Sequence, residues 1–231
     1  MAEFLSSIPL FPVVLTLAAY SFGSWCQKKW NSPLCNPILI AVAVVVLTLV
    51  CTKIPYIHYK EGTRLLNWLL TPATVAMALP LYNQFKVLRK NLPAALAGIT
   101  AGTLTSLLII ALLCRLFRLE QTVAASLLPK SVTTAIGIVL CEQAGGAVGL
   151  STAAIIVTGI LGSMTGPWLC RLLRITDPVA QGVAMGTASH VIGTAKANEM
   201  GQLQGAVSGL SMAAAALLTA VAYPLFVSLL L

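Results

Sequence analysis

Long apolar segments occupy most of this 231-residue chain. A window of about 20 residues, the length with which an α-helix crosses a bilayer, finds eight of them. They cover residues 4–25, 37–54, 63–84, 92–115, 121–141, 150–173, 179–198 and 204–231. Only 9% of the residues are charged, against roughly 25% in a soluble domain. The segments predict an all-α, polytopic membrane protein with one integral membrane domain over residues 1–231.

The basic side chains support the same interpretation. Fourteen Lys and Arg residues give a formal net charge of +8, and all except Lys130 lie at segment ends or in loops, where such residues set membrane orientation. Without a dense basic cluster they predict no nucleic-acid binding. If all eight segments cross the bilayer, the loops on its two sides carry nearly equal numbers of Lys and Arg residues. We therefore expect segment 121–141 or 179–198 to be broken or re-entrant, or two copies to insert in opposite orientations.

One polar stretch, LLPKSVTTAIG at residues 127–137, interrupts the apolar sequence. Lys130 lies near the centre of its segment, where a charged side chain usually faces a cavity or a partner. No Asp or Glu lies inside any apolar segment, so a bound carboxylate is the expected partner, with a snorkelling or carbonyl-bonded lysine as the alternative. Pro129 predicts a helix that breaks and restarts, exposing N–H groups to an anion. The nearby hydroxyl groups expected to help belong to Ser131, Thr133 and Thr134.

A second polar stretch, AMGTASHVIGT, occupies residues 184–194. Gly186 and Gly193 predict close approach of another backbone, and Gly186, His190 and Thr194 share one face of a regular helix. Imidazole exchanges protons near neutral pH, so His190 is a candidate for proton coupling, with a satisfied core histidine as the commoner alternative. The residues expected to contact the rest of a substrate are Thr187, Ser189, His190 and Thr194.

A third semi-polar stretch contains Pro72 and Pro80, which predict helix breaks or close packing beside the site. Six cysteines form no CxxC pair and predict no metal site. Nothing in the chain resembles a nucleophile–base set, paired carboxylates, a P-loop or a zinc signature. The sequence therefore predicts no enzyme activity and no cofactor.

An internal similarity relates two parts of the chain without gaps at an offset of 56 residues. CRLFRLEQTVAASLLPKSVTTAIG, from Cys114, aligns with CRLLRITDPVAQGVAMGTASHVIG, from Cys170, and places Ser131 opposite Thr187. The pattern predicts internal repeats in which a polar, broken segment is followed by a plain helix. The expected repeat units are approximately residues 63–118, 119–174 and 175–231.

Three ordered motifs, LLTPATVAMALPLY, LLPKSVTTAIGI and MGTASHVIGTA, resemble the LrgB/CidB family of bacterial inner-membrane proteins. The resemblance covers nearly the whole chain and implies a multi-pass protein of the inner (cytoplasmic) membrane. The family was first described as antiholin-like, acting with a small LrgA/CidA-type membrane partner to control murein hydrolase activity. Plant relatives that fuse both parts move glycolate and glycerate, and some bacterial pairs are linked to pyruvate uptake.

The residues and the resemblance together predict a secondary transporter of small monocarboxylates of the glycolate, glycerate or pyruvate class. The anion would be held at a broken-helix site around Lys130. The alternative is an antiholin-like regulator of murein hydrolase activity and cell lysis that acts with an LrgA/CidA-type partner. The other expected partners are the lipid bilayer and a second copy of the chain in a homo-oligomer, a dimer.

Overall fold

The computed structural model describes residues 10–30, 36–76 and 82–228 of the chain. Every regular element in these ranges is a helix, and they contain no strand. The predicted all-α class is therefore confirmed. The chain divides into two compact units, one within residues 1–76 and the other within residues 77–231.

The first unit contains four helices: α1 (Phe11–Trp30), α2 (Pro37–Thr52), α3 (Tyr56–Gly62) and α4 (Arg64–Ala76). α1 packs mainly against α2 and touches α3. Asn36 starts α2, because its Oδ1 accepts a hydrogen bond from the N–H of Ile38 at 2.9 Å, and Pro37 follows at the first helical position, where its missing N–H removes no helical bond. The hydroxyl groups of Thr16 and Tyr59 lie 2.8 Å apart and tie α1 to α3.

Pro72 lies inside α4, which continues to Ala76. The predicted break at Pro72 is therefore wrong. A proline removes one helical hydrogen bond and crowds the carbonyl four residues earlier, but α4 continues for four described residues beyond Pro72. Pro72 is also exposed and does not pack closely. The other proline of this stretch, Pro80, lies outside the described residues.

The second unit contains the remaining helices: α5 (Phe85–Leu116), α6 (Gln121–Leu127), α7 (Thr134–Gln143), α8 (Val148–Leu172), α9 (Pro178–Met200) and α10 (Gln202–Ser228). α9 lies at the centre and packs against α10, α8 and α5. α10 also packs against α5, while α6 and α7 pack mainly against α8. Each of the two polar stretches is therefore placed among long apolar helices.

Three helices of the described ranges are long and apolar enough to cross a membrane: Arg89–Leu116, Val148–Leu172 and Gln202–Ser228. On α10 the side chains of Leu217, Val221 and Leu225, spaced by four residues, are all exposed, Val221 to 80%. An exposed apolar stripe of this kind suits contact with lipid. Helices occupy the described parts of all eight predicted segments, but the placement of all eight in the membrane stays a prediction.

α5 and α8 each end in a turn of the same type. Arg118 and Arg174, 56 residues apart, adopt left-handed backbone conformations with φ of 51° and 56°. After α5 the N–H of Leu119 donates to the carbonyl of Cys114 at 2.9 Å, and the equivalent bond after α8 measures 2.8 Å. This bond satisfies a carbonyl of the last helical turn and fixes the direction in which the chain leaves each helix.

Candidate functional site

A connection of non-helical residues, 128–133, separates α6 from α7. Pro129 lies buried within it and offers no N–H to continue the helix. α7 starts at Thr134, and the preceding Thr133 has an extended backbone and makes no side-chain capping bond. The N–H groups of Thr134 and Ala135, the first two residues of α7, therefore lack helical acceptors, whereas Ile136 donates to the carbonyl of Thr133 at 3.0 Å.

Lys130 is half-buried in this connection. Its Nζ donates a hydrogen bond to Ser131 Oγ at 3.0 Å, and Ser131 Oγ lies 3.2 Å from Ser106 Oγ of α5. Within the described ranges no carboxylate forms an ion pair with Lys130, whereas Lys196 pairs with Glu199 at 2.7 Å. The ammonium group of Lys130 is thus linked to a pair of hydroxyl groups and carries an unneutralised charge.

A small cavity lies where α5, the 128–133 connection, α9 and α10 meet. Its volume is about 10 Å³, which is room for roughly one water molecule. Five of its wall residues carry hydroxyl groups: Thr103, Ser106, Ser131, Thr187 and Thr219. The rest of the wall is apolar and comes from Leu107, Leu128, Val132 and Ala215. The two predicted stretches therefore meet at one polar cavity, through Ser131 and Thr187.

Thr103 has an unusual hydrogen-bonding state. Its Oγ1 is buried and has no hydrogen-bond partner among the described residues. Several other helical threonines donate to the carbonyl four residues earlier, as Thr165 does to Leu161 at 2.8 Å. A buried hydroxyl without a partner destabilises a protein by about 1–3 kcal/mol. The side chain of Thr103 therefore marks a place for a water or a ligand oxygen.

α9 is interrupted at His190, whose φ of 43° and ψ of −134° are not helical. The side chain is only 3% exposed, and its Nε2 lies 3.0 Å from the carbonyl oxygen of Ile155 in α8. Because a carbonyl can only accept, Nε2 carries the hydrogen in this bond. Gly159 makes room for the ring, since a Cβ there would lie 2.7 Å from His190 Cε1.

His190 divides α9 into a first arm, residues 178–189, and a second arm, residues 191–200. The second arm turns back toward the first. A Cβ on Gly193 would lie 2.5 Å from the carbonyl oxygen of Met185, eight positions away, which a straight helix would separate by roughly 12 Å along its axis. Thr194 Oγ1 donates to the carbonyl of His190 at 2.9 Å and lies 2.9 Å from Ser208 Oγ in α10. These contacts hold the bend in place.

Glycine residues allow the first arm of α9 to pack closely against α8 and α10. Gly186 lies against the main-chain carbonyl of Ser208 in α10, and Ser189 lies against Gly162 in α8. Neither glycine could carry a Cβ without moving its neighbour. α9 is therefore packed tightly on two sides.

The predicted shared face of Gly186, His190 and Thr194 is not formed. The bend at His190 directs its ring toward α8, while Gly186 and Thr194 contact α10. A regular helical spacing no longer applies across a residue with non-helical backbone angles.

The predicted contact residues fall into three groups. Ser131 and Thr187 line the cavity, and Lys130 joins it through its bond to Ser131. Two stand at the start of α7, half-buried and outside the cavity wall: Thr133 and Thr134. Three are buried between α9 and its neighbours: Ser189, His190 and Thr194.

Three hydroxyl residues of the cavity wall are not among the predicted site residues: Thr103, Ser106 and Thr219. Thr103 and Ser106 belong to a series of Thr and Ser residues in segment 92–115, and their spacing of three places both on one side of α5. That spacing is a signal that could have found them. Thr219 follows Ser211 of the same helix by eight residues, and nothing in its immediate surrounding sequence distinguishes it.

Comparison with known proteins gives a consistent result over almost the full length. A sequence model of the LrgB-like family matches residues 16–229. The chain is similar to YwbG of Bacillus subtilis (strain 168), with 34% identity over 225 residues, which cover 97% of this chain and 99% of that protein. It is also similar to the holin-like protein CidB of Staphylococcus aureus (strain N315), with 33% identity over 220 residues, 95% of this chain and 96% of the relative.

A further relative is the holin-like protein CidB of Staphylococcus epidermidis (strain ATCC 12228 / FDA PCI 1200), with 32% identity over 230 residues and 99% coverage of both chains. No solved structure matches the chain.

Proposed function

Because the chain belongs to the LrgB-like family of membrane proteins, we propose that it is a secondary transporter of small monocarboxylates of the glycolate, glycerate or pyruvate class in the inner (cytoplasmic) membrane. One observation carries this proposal. A hydroxyl-lined cavity inside the apolar second unit adjoins Lys130, a lysine without a carboxylate partner in the described ranges.

The carboxylate of the substrate is held by Lys130 in this proposal. A hydrogen bond to a charged group contributes about 1.5–3 kcal/mol, more than a neutral one. α7 starts at Thr134, four residues beyond Lys130, and the free N–H groups of its first two residues and its positive dipole end favour an anion. Thr133 and Thr134 lie at this helix start and are accessible enough to contribute. Broken helices serve transporters of other folds in the same way.

The cavity accepts roughly one water molecule, so a substrate enters only when the surrounding elements separate. The 128–133 connection lacks the repeating helical hydrogen bonds of its neighbours, so in this proposal it is the segment that moves. Movement of this connection against the long helices gives alternating access.

We extend the proposal to the internal repeat. Ser131 and Thr187, which the 56-residue offset places in equivalent positions, line the same cavity, and the equivalent residues Arg118 and Arg174 end α5 and α8 in the same turn. These observations support a long helix and a broken segment that recur at an offset of 56 residues, with the two broken segments facing each other. The division into three units at residues 63–118, 119–174 and 175–231 stays a prediction.

Uptake by the purified protein in proteoliposomes tests the anion site. For Lys130→Met we expect the initial rate of glycolate uptake to fall about 10- to 100-fold, the equivalent of one lost charge-assisted bond. Lys196→Met is the matched control, since its exposed ion pair with Glu199 contributes little. Uptake by Lys130→Met at the parental rate would exclude Lys130 from anion binding.

Proton coupling through His190 is a separate part of the proposal. The buried ring already donates its Nε2 hydrogen to Ile155, so a coupling role requires the other ring nitrogen, Nδ1, to exchange the proton. His190→Gln tests this role by uptake measured with and without an imposed pH gradient. An unchanged response to the gradient in this variant would remove His190 from the coupling mechanism.

The names of the relatives favour a second candidate more directly than the first. Several are holin-like proteins CidB, which supports a regulator of murein hydrolase activity and cell lysis that acts with an LrgA/CidA-type partner and as a homo-oligomer. Autolysis rates in a bacterial host without its own copy test this candidate. A change in autolysis caused equally by the parent and by Lys130→Met, without uptake in proteoliposomes, would select the second function.

A further inference from the structure

We infer that the cavity is a subsite for one oxygen atom, and that Thr103 determines specificity there. A water fills the subsite in the empty protein. In the loaded protein the occupant is the oxygen substituent on the carbon next to the carboxylate of the substrate. The inference rests on the proposed function, because it takes Lys130 as the group that holds the carboxylate.

The size of the cavity is the first argument. A volume of about 10 Å³ admits one water-sized atom and excludes the three heavy atoms of a carboxylate. The carboxylate must therefore bind outside this space, and Lys130, which reaches the cavity wall through Ser131, is the adjacent cation. A substrate that spans both places carries its second polar group one carbon away from the carboxylate.

The hydrogen atoms of the wall give the second argument. Lys130 has no acceptor atom when it is charged, so it donates to Ser131. Ser131 and Ser106 lie 3.2 Å apart and share one hydrogen bond, which uses one of their two hydroxyl hydrogens. Whichever serine donates, one hydrogen is left over at the cavity wall. This hydrogen can be given to an oxygen inside the cavity.

Thr103 gives the third argument. The residue is only 5% exposed and lines the cavity. Its hydroxyl group donates to no carbonyl and has no other hydrogen-bond partner among the described residues. An oxygen in the cavity would end this unpaired state, and a methyl group would not. A site with buried polar groups rejects an analogue that lacks the matching atom because those groups then stay unpaired.

The first experiment uses an isosteric pair of acids on the unmodified protein. Propionate replaces the hydroxyl of glycolate with a methyl group and keeps the carboxylate. In competition with labelled glycolate for uptake into proteoliposomes, we expect propionate to require about tenfold higher concentration than unlabelled glycolate, as one or two neutral hydrogen bonds predict. Equal competition by the two acids would overturn the oxygen subsite and leave the anion site intact.

The second experiment removes the hydroxyl of Thr103. Thr103→Val keeps the shape of the side chain, and we expect it to reduce the preference for glycolate over propionate about tenfold while propionate binding is kept or improved. Thr105→Val, on the exposed side of the same helix, is the matched control, and Thr103→Ser should restore the preference. An equal loss of both acids in Thr103→Val would show a structural role only and would overturn the inference.

Thermal denaturation without ligand adds a readout independent of uptake. Thr103→Val removes an unpaired buried hydroxyl, so we expect an unchanged or higher melting temperature without ligand and a smaller increase on addition of glycolate. Ser151→Ala is the control, because Ser151 Oγ is also buried without a partner among the described residues but does not line the cavity. We expect this variant to keep the full glycolate-induced increase.

The outcomes separate the two levels of the hypothesis. If neither acid binds or is transported, and Lys130→Met behaves like the parent, the proposed function fails and the subsite fails with it. If both acids compete and Lys130→Met abolishes uptake, but Thr103→Val leaves their ratio unchanged, the transport function stands and the role of Thr103 is overturned.

Discussion

The 128–133 connection separates α6 from α7 by a run of non-helical residues, whereas α9 is interrupted at His190 alone. In the first break the polar side chain, Lys130, is half-buried and its charge has no carboxylate partner in the described ranges. In the second, His190 is buried and bonded to Ile155. In the proposed function the wide break supplies the polar groups that bind a ligand, whereas the narrow break uses its polar side chain in a hydrogen bond to α8. The two interruptions lie in segments that align at the 56-residue offset, and we propose that one binds substrate while the other stabilises the fold.

The largest expected difference between the breaks is in stability. His190→Ala removes the bond to Ile155 and leaves a space next to Gly159, so we expect a loss of about 2–4 kcal/mol in the free energy of unfolding. Lys130→Met should change it by less than about 1 kcal/mol. Reversible denaturation in detergent micelles measures both. Similar losses in the two variants would contradict a division between a structural and a binding break.

The packing of α9 gives an intermediate effect. Gly186→Ala places a Cβ against the main-chain carbonyl of Ser208, which cannot move without shifting α10, and we expect a loss of about 1–3 kcal/mol. Gly209→Ala on α10 is the matched control, since a Cβ there meets no atom within 4 Å. The same denaturation experiment applies. A loss from Gly209→Ala as large as that from Gly186→Ala would show that close packing at α9 is not the cause.

The smallest effect compares two threonines. Thr194→Val loses the hydrogen bonds to the carbonyl of His190 and to Ser208, and we expect a loss of roughly 1 kcal/mol. Thr133 precedes α7 but makes no side-chain capping bond, so Thr133→Val should change stability by less than about 0.5 kcal/mol. A larger loss at Thr133 than at Thr194 would reverse the assignment of the two breaks.

The sequence was sufficient to predict helices and the existence of polar interruptions. Apolar segments of about 20 residues located the helical regions, and Pro129 indicated a break because a proline cannot donate a backbone hydrogen bond. His190 carries no such backbone signal. Its left-handed conformation depends on Ile155 and Gly159, which are distant in sequence, and regular periodicity therefore predicted a helical face that the protein does not form.

The cavity wall was only partly predictable for a similar reason. Ser131 and Thr187 stood out as polar residues in broken stretches, but Thr103, Ser106 and Thr219 lie in long apolar helices. A threonine or serine in such a helix usually donates to the carbonyl of the preceding turn. Whether it does so, or points into a cavity, is decided by which helices pack together, and single-sequence patterns do not contain that information.

The bend in α9 also has a consequence for the order in which the chain enters the membrane. α9 occupies the centre of the second unit, yet among the described helices it is not one of the three that are long and apolar enough to cross a bilayer. If α9 enters the bilayer, as the sequence predicts, its insertion depends on its neighbouring helices. Because α10 covers much of its surface and follows it in the sequence, we expect α9 to stay at the membrane interface during synthesis until α10 has been made, and then to enter with it.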